Sequence, residues 1–255
     1  MSREKILKKF QNSNALFKDF TNAFMGGLQV EEFDEHAPEV IATMLEEAWE
    51  VGKKRSGSDV VIEAKVVAGA KKGWLHEKTR LFVISPDRAF IIDSITAALH
   101  TRNLTIRTLM HPVLSVVRDG KGNVTSVGPR DAKPEKGAEN ESWLIVEVRG
   151  AVGAAQCREL EKQLSAVMVD VLAATHDWQK MREELKRAIS EMDAHRHHKI
   201  GKKSSHDSLD EYVAFLQYLH DNNFTLLGYR EYEFTGTDAN LGSKIVKGKS
   251  LGLFG

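Results

Sequence analysis

Residues 78–85 read KTRLFVIS, a run whose centre is wholly apolar and rich in residues that favour strands. A strand without a polar face belongs at the centre of its sheet, because neither side of it can be left to water. Pro86-Asp87-Arg88 then turns the chain, and Ile91, Ile92, Ile95, Ala98 and Leu99 recur at helical spacing up to about Asn103. LTIRTLMHPVLSVVRD (104–119) returns as a long strand, within which Pro112 cannot donate to a ladder and so predicts a bulge or an edge. A strand–turn–helix–strand unit over 79–112 is therefore the frame on which the remainder is arranged.

Before this unit, Ile6, Phe10, Phe17, Phe20 and Phe24 lie on one helical face of residues 2–24, which Gly26-Gly27 ends. A second helix opens near Asp34–Pro38, with Pro38 suited to a first turn, and runs to Gly52. KKRSGSD (53–59) is a polar hinge, and VVIEAKVVA (60–68) alternates imperfectly as a strand with one wetter face. After the frame, DGKGN (119–123) is a turn, 128–140 a polar loop and SWLIVEVRG (142–150) a strand. Leu160, Leu164, Val167, Val171, Trp178, Met181 and Leu185 then recur at four-three steps over 153–193, as one long helix or as two with a cap at Thr175-His176-Asp177. Ser208 and Glu211 form a capping box for a helix over 209–222, and FTLLGYREYEF (224–234) is a strand. The Gly-rich tail 235–255 ends without a terminating element, which suggests a longer polypeptide.

The fold class these elements predict is α+β, with β-α-β-β-α at the centre, one strand short of a ferredoxin-like βαββαβ antiparallel sheet. The expected divisions are a helical segment at 1–56, a domain with a long C-terminal helix at 57–193, a basic linker at 194–207 and a helix–strand segment at 208–255.

Lys+Arg and Asp+Glu both total 36, so no global field favours nucleic acid or an anionic membrane. The apolar runs are strand-sized, far below the roughly 20 residues of a membrane span, and the charged start MSREKILKKF has no secretory h-region. A cytoplasmic protein is expected. Cys157 is the sole cysteine, which leaves no disulfide framework and no cysteine zinc site; on an amphipathic helix it reads as a packed thiol rather than a nucleophile. His195, His197, His198 and His206 sit among Arg196, Lys199, Lys202 and Lys203, whose charge opposes a cation, so no metal site is expected there. Neither G-x-G-x-x-G nor G-x-x-x-x-G-K-[ST] occurs, so this chain is not expected to hold a nucleotide cofactor or to catalyse by itself.

The residues that invite a function are Asp87 and Arg88, with Asp93 and His111. A turn between an apolar strand and a helix presents backbone N–H groups at the positive end of the helix, where a carboxylate can dock. Arg88 could add a charge-assisted bond and Asp87 could take an amino group; equally, Asp87 could cap the helix and Asp93 serve as a first-turn acid. His111 with Asp93 would make an acid–base pair if one pocket held both.

SPDRAFIIDSITAALHTRNLTI has the spacing of an ACT domain, and the chain resembles the N-terminal region of the large bacterial NAD-specific glutamate dehydrogenases. The resemblance is carried in order by GW (73–74), SPDRAFIIDSI (85–95), HPVLSVVRD (111–119), ESWLIVEV (141–148), DW (177–178) and FTLLGYREYEF (224–234). It implies an ACT-like regulatory region, a homo-oligomer, and attachment to a longer polypeptide that binds NAD and acts on glutamate. It also implies an amino-acid effector at Ser85, Asp87, Arg88, Ala89, Phe90 and Asp93. Ala89-Phe90 replaces the Pro-Gly usual in ACT domains, and phenylalanine there fills the space a ligand would use or turns into the core. A purely structural oligomerisation domain without a ligand is the alternative, motivated by the long helical stripe at 160–192.

Overall fold

Eight consecutive positions of one strand, residues 79–86, are buried, and the first of two compact units is organised around them. The computed structural model describes residues 3–33, 36–56, 59–67, 78–133, 135–149, 153–196, 206–236 and 240–255. It divides into two compact units, Met1–Met168 and Val169–Gly255.

In the first unit, helices α1 (Arg3–Lys8), α2 (Ala15–Gly26) and α3 (Pro38–Gly52) precede strands β1 (Val61–Val67) and β2 (Lys78–Pro86). Helix α4 (Ile91–His100), strands β3 (Ile106–Met110), β4 (Val113–Arg118), β5 (Val124–Pro129) and β6 (Ala138–Arg149), and helix α5 (Ala154–His176) follow. The class is α+β. The sheet runs β1-β2-β6-β4-β5, with β3 also pairing on β6, and every pairing is antiparallel.

The run β2-α4-β3/β4-β6-α5 follows the ferredoxin-like order, with β6 between β2 and the β3–β4 strand. The edge beside β2 belongs to β1, which comes before the frame in sequence rather than after α5. The long strand expected at 104–119 is two strands, because Pro112 carries no N–H; its carbonyl still accepts the Trp143 N–H at 3.1 Å.

Alternation along β2 explains why no position is polar-facing. Phe82 and Ile84, with Met110, Trp143 and Ile145, join a core built from Ile6, Phe20, Phe24, Met44 and Leu45 of α1–α3. Leu81 and Val83, paired with Val146 and Leu144, point the other way and are equally dry. The buried stripes of α4 (Ile91, Ile95, Leu99) and α5 (Cys157, Leu160, Leu164) cover that side. The Ala64 N–H of β1 donates to Glu161 of α5 at 2.8 Å, tying helix to sheet edge. Aromatic packing anchors the N-terminal side: the Phe20 ring lies 4.8 Å from Trp143 and 5.0 Å from Trp49 between centroids. Such pairs contribute about 0.5–1.5 kcal/mol each beyond the area they bury.

The helix expected over 2–24 is broken in two. Asn14 accepts the Phe17 N–H at 2.9 Å and so starts α2 afresh, although the apolar face runs through both pieces. Residues 124–127, with no assignment from pattern alone, form β5 together with 128–129, the hairpin partner of β4 across the DGKGN turn; the polar loop expected over 128–140 is thus shortened at both ends, since β6 already begins at Ala138.

The second unit contains the end of α5, then α6 (Trp178–Arg196), α7 (His206–Tyr218) and the hairpin β7 (Gly228–Thr235) with β8 (Gly242–Gly252). The helical stretch is thus two helices, divided at Asp177, whose carboxylate takes Lys180 at 2.9 Å. The tail is not featureless, since β8 pairs with β7 in a separate two-stranded sheet. The GW pair at 73–74, most of the basic linker (197–205) and the hinge residues 57–58 lie outside the described residues, as do the side chains of His195, Arg196, His206 and the capping Ser208.

Candidate functional site

At one end of the sheet a cleft of about 540 Å³ is lined by Asp87, Arg88, Ala89, His111, Val113, Arg130, Asp131 and Gly27. Four local events build it. Strand β2 ends at Pro86, and the Asp87 N–H adds one further bond, to the Asn140 carbonyl at 2.8 Å, which holds the turn against the start of β6. The break at Pro112 turns His111 out of the ladder beside this turn. Strand β5 ends at Pro129, so Arg130 and Asp131 arrive from the far side. Helix α2 ends at Gly27, where a β-carbon would stand 2.9 Å from the Pro112 side chain, so glycine permits the close approach.

The charges on these walls are mixed. The Asp87 carboxylate is 3.7 Å from the Arg130 guanidinium, whose side chain is largely exposed. Arg88 is exposed and folds back to donate to the Asp87 carbonyl at 2.8 Å. His111 Nε2 shares a hydrogen bond of 2.7 Å with the Ser142 hydroxyl. Burial pushes the His111 pKa below its ordinary value, and Arg130 adds to this, outweighing the opposing pull of Asp87 and Glu32. The imidazole is therefore neutral near pH 7, and one anionic and one cationic side chain face each other across the mouth.

Phe90 enters α4 with φ of 70°, the left-handed region, and no side chain caps the helix. The capping role open to Asp87 is thus not taken. Asp93 sits in the first turn as an acidic residue, exposed and outside the cleft lining. Phe90 does not turn into the core; it is 42 % exposed. Ser85 is fully buried, its hydroxyl on the Pro86 carbonyl at 3.2 Å. Of the six residues singled out, Asp87, Arg88 and Ala89 share the cleft, while Ser85, Phe90 and Asp93 do not line it. His111 and Asp93 do not meet in one pocket, which removes the geometric basis of an acid–base pair.

Arg130, Asp131, Val113 and Gly27 were not legible as site residues, because a polar loop gives no local sign of what it faces. A second polar cluster went equally unread. Glu141 is buried and accepts from Arg55 at 2.7 Å and from Arg118 at 2.7 Å on each oxygen. Burial alone would raise the Glu141 pKa, but the bonds and charges of Arg118 and Arg55 outweigh it and hold the carboxyl below its usual range. Arg118 also donates to the Gly52 and Gly122 carbonyls at 2.9 and 2.8 Å. Arg55, Arg118 and Glu141 also line a second cleft, of about 390 Å³, with Asp119, Lys121 and Glu139. The bonds between them tie β6, β4 and the segment after α3 together, which makes the cluster a structural tie. Glu147 is the same kind of group, held by Lys78 and by Arg80, which also reaches Glu47. Cys157 is buried, and burial pushes its thiol up, away from the reactive thiolate. Among the described residues no group of three or more His, Cys, Asp and Glu could hold a metal, and no helix is long and apolar enough to cross a membrane.

A family profile described as "Glutamate dehydrogenase, ACT1 domain" matches residues 20–164. The chain is 31% identical over 184 residues to the NAD-specific glutamate dehydrogenase of Pseudomonas aeruginosa, covering 72% of the chain and 11% of that protein. Against the NAD-specific glutamate dehydrogenase of Halomonas elongata it is 30% identical over 182 residues, covering 71% of the chain and 11% of the relative. The Mycobacterium tuberculosis protein of the same name is 26% identical over 152 residues, 59% of the chain and 9% of its own length. The chain thus spans about a tenth of the length of the curated relatives it matches.

Proposed function

The chain belongs to the glutamate dehydrogenase ACT1-domain family, and on that premise we propose that it is the regulatory and assembly region of a large NAD-dependent glutamate dehydrogenase. On this reading L-glutamate is converted to 2-oxoglutarate and ammonia by polypeptide outside these residues, in an oligomer and in the cytoplasm. The NAD site belongs to that other polypeptide as well. The turn opening α4 places the Asp87 carboxylate and the Phe90 side chain where a pyrophosphate would need glycine and backbone N–H groups, so the residues present do not fit a dinucleotide.

The observation that carries the regulatory reading is the cleft beside α4, with Asp87 opposed to Arg130 at 3.7 Å and a helix start that no side chain caps. An amino acid offers an ammonium and a carboxylate a few ångströms apart. Asp87 is placed to take the first, and Arg130, Arg88 and the first-turn N–H groups to take the second. Neutral His111 contributes a polar wall without adding charge. The contact set is accordingly Asp87, Arg88, Ala89, His111 and Arg130; Ser85, Phe90 and Asp93 lie outside the cleft lining.

Calorimetric titration of the purified chain with the common amino acids tests this reading. Saturable binding that Asp87→Ala abolishes is the expected result. Silence across the panel would instead support a ligand-free oligomerisation domain, a second reading favoured by the exposed Phe90 at the helix start. Oxidation of glutamate with NAD by the purified chain alone would overturn both.

A further inference from the structure

Helix α7 is apolar on two sides. Leu209, Val213 and Leu216 recur on its half-buried side, and α6 is the element it packs against. Tyr212, Phe215 and Tyr218 recur at steps of three on the other side and are 59%, 57% and 55% exposed. Asp210, Glu211 and Gln217 leave α7 one polar strip, but an apolar arc this much wider than the side packed on α6 exceeds what a surface helix needs. The hairpin β7–β8 shows the same excess. One face is held to α6, where Arg187 reaches the Tyr229 hydroxyl and Glu231, and Lys249 reaches Glu184. The other face presents Tyr232 and Phe234, with Ile245 paired opposite Tyr232, all about half exposed or more. A two-stranded sheet is marginal by itself and needs further strands or a covering layer. Exposed aromatic patches of this kind mark interfaces.

We propose that these two surfaces of the second unit, the α7 aromatic stripe and the outer face of β7–β8, are covered by further polypeptide of the same large enzyme. This rests on the family reading above. The length of the relatives and the form of the hairpin point to that occupant rather than a second copy or a foreign partner. The relatives are roughly nine times as long as their matched part, so most of the polypeptide available as cover is of this kind. The hairpin is also a sheet fragment, and a fragment is completed most directly by more strands of its own chain, which carry little added entropy of association.

The test uses thiol accessibility, read at each introduced cysteine by peptide mapping; within these 255 residues the native Cys157 is buried. Phe215→Cys and Phe234→Cys are introduced separately into the 255-residue chain and into the full-length enzyme, and maleimide labelling rates are normalised to those in denaturant. Both sites are expected to label at least tenfold more slowly in the full-length enzyme than in the chain alone. Equal rates at both sites would overturn the proposal. So would protection that arises in the chain alone as its concentration is raised, which assigns the faces to a second copy. Glutamate oxidation measured on the same full-length preparations keeps the outcomes separate: active enzyme with unprotected thiols sinks the interface and leaves the proposed function intact, whereas protected thiols in folded enzyme that does not oxidise glutamate support the interface and sink the activity proposed for the parent protein.

Discussion

Gly122 holds φ at 83°, and a β-carbon there would lie 2.2 Å from the Arg55 carbonyl oxygen, which belongs to backbone and cannot swing aside. Gly122→Ala should therefore cost about 1–2 kcal/mol in left-handed strain and about 1–3 kcal/mol more in overpacking, read as a lowered urea midpoint. Phe90 is the contrasting case, a left-handed residue with a large and 42 % exposed side chain. Phe90→Gly relieves strain of about 1–2 kcal/mol and gives back about 0.5–1 kcal/mol in chain entropy. The variant should stay within about 1 kcal/mol of the parent, although a whole ring is gone. If the cleft binds amino acids, opening the helix start in this way should tighten that binding in the same titration. A loss of more than about 2 kcal/mol would show that the ring is held by packing instead.

At the scale of elements, Glu141 ties three pieces together: β6, which carries it, β4 through Arg118 and the segment after α3 through Arg55. Removing one member of a buried ion cluster strands the others in a dry site, at a cost of about 3–5 kcal/mol. Glu141→Ala should lower the stability of the chain by about that much in urea titration, and a loss under about 1 kcal/mol would mean water reaches the two guanidinium groups. The same residue shows where reading by pattern stops. The run SWLIVEVRG announces a strand, and the Pro112 break and the start of α3 at Pro38 follow from residues that lack an N–H. These are local facts. That Glu141 is buried depends on Arg55, 86 positions away, and no window of neighbouring residues holds that information. Arg130 beside Asp87 was hidden for the same reason. Strand β1 was recognised as a strand, but its place on the β2 edge is a matter of topology, which the apolar pattern does not encode.

Across the whole molecule, Lys+Arg and Asp+Glu balance at 36 each, so net charge does not drive unfolding near neutrality and pH dependence must come from individual groups. Two kinds are present. His111 has a pKa depressed mainly by burial, so between that value and the ordinary 6.5 the unfolded chain binds a proton that the folded chain refuses. Stability then rises with pH, which means it falls as pH drops below about 6.5 and levels off below the folded value. Glu141 and Glu147 have folded pKa values below the ordinary 4.5, despite burial that pushes the other way, because Arg118, Arg55, Lys78 and Arg80 outweigh it. Their contribution is full above 4.5 and is lost as pH falls through the folded values. Urea titrations from pH 4 to pH 8 should accordingly show a plateau near neutrality, a shallow decline beginning near pH 6.5 and a steeper one below about 4.5. His111→Gln keeps a partner for Ser142 and cannot titrate, so it should erase the shallow decline and leave the steep one in place. Persistence of the first decline in that variant would place its origin in another group, and the cleft would lose its claim to a buried neutral imidazole.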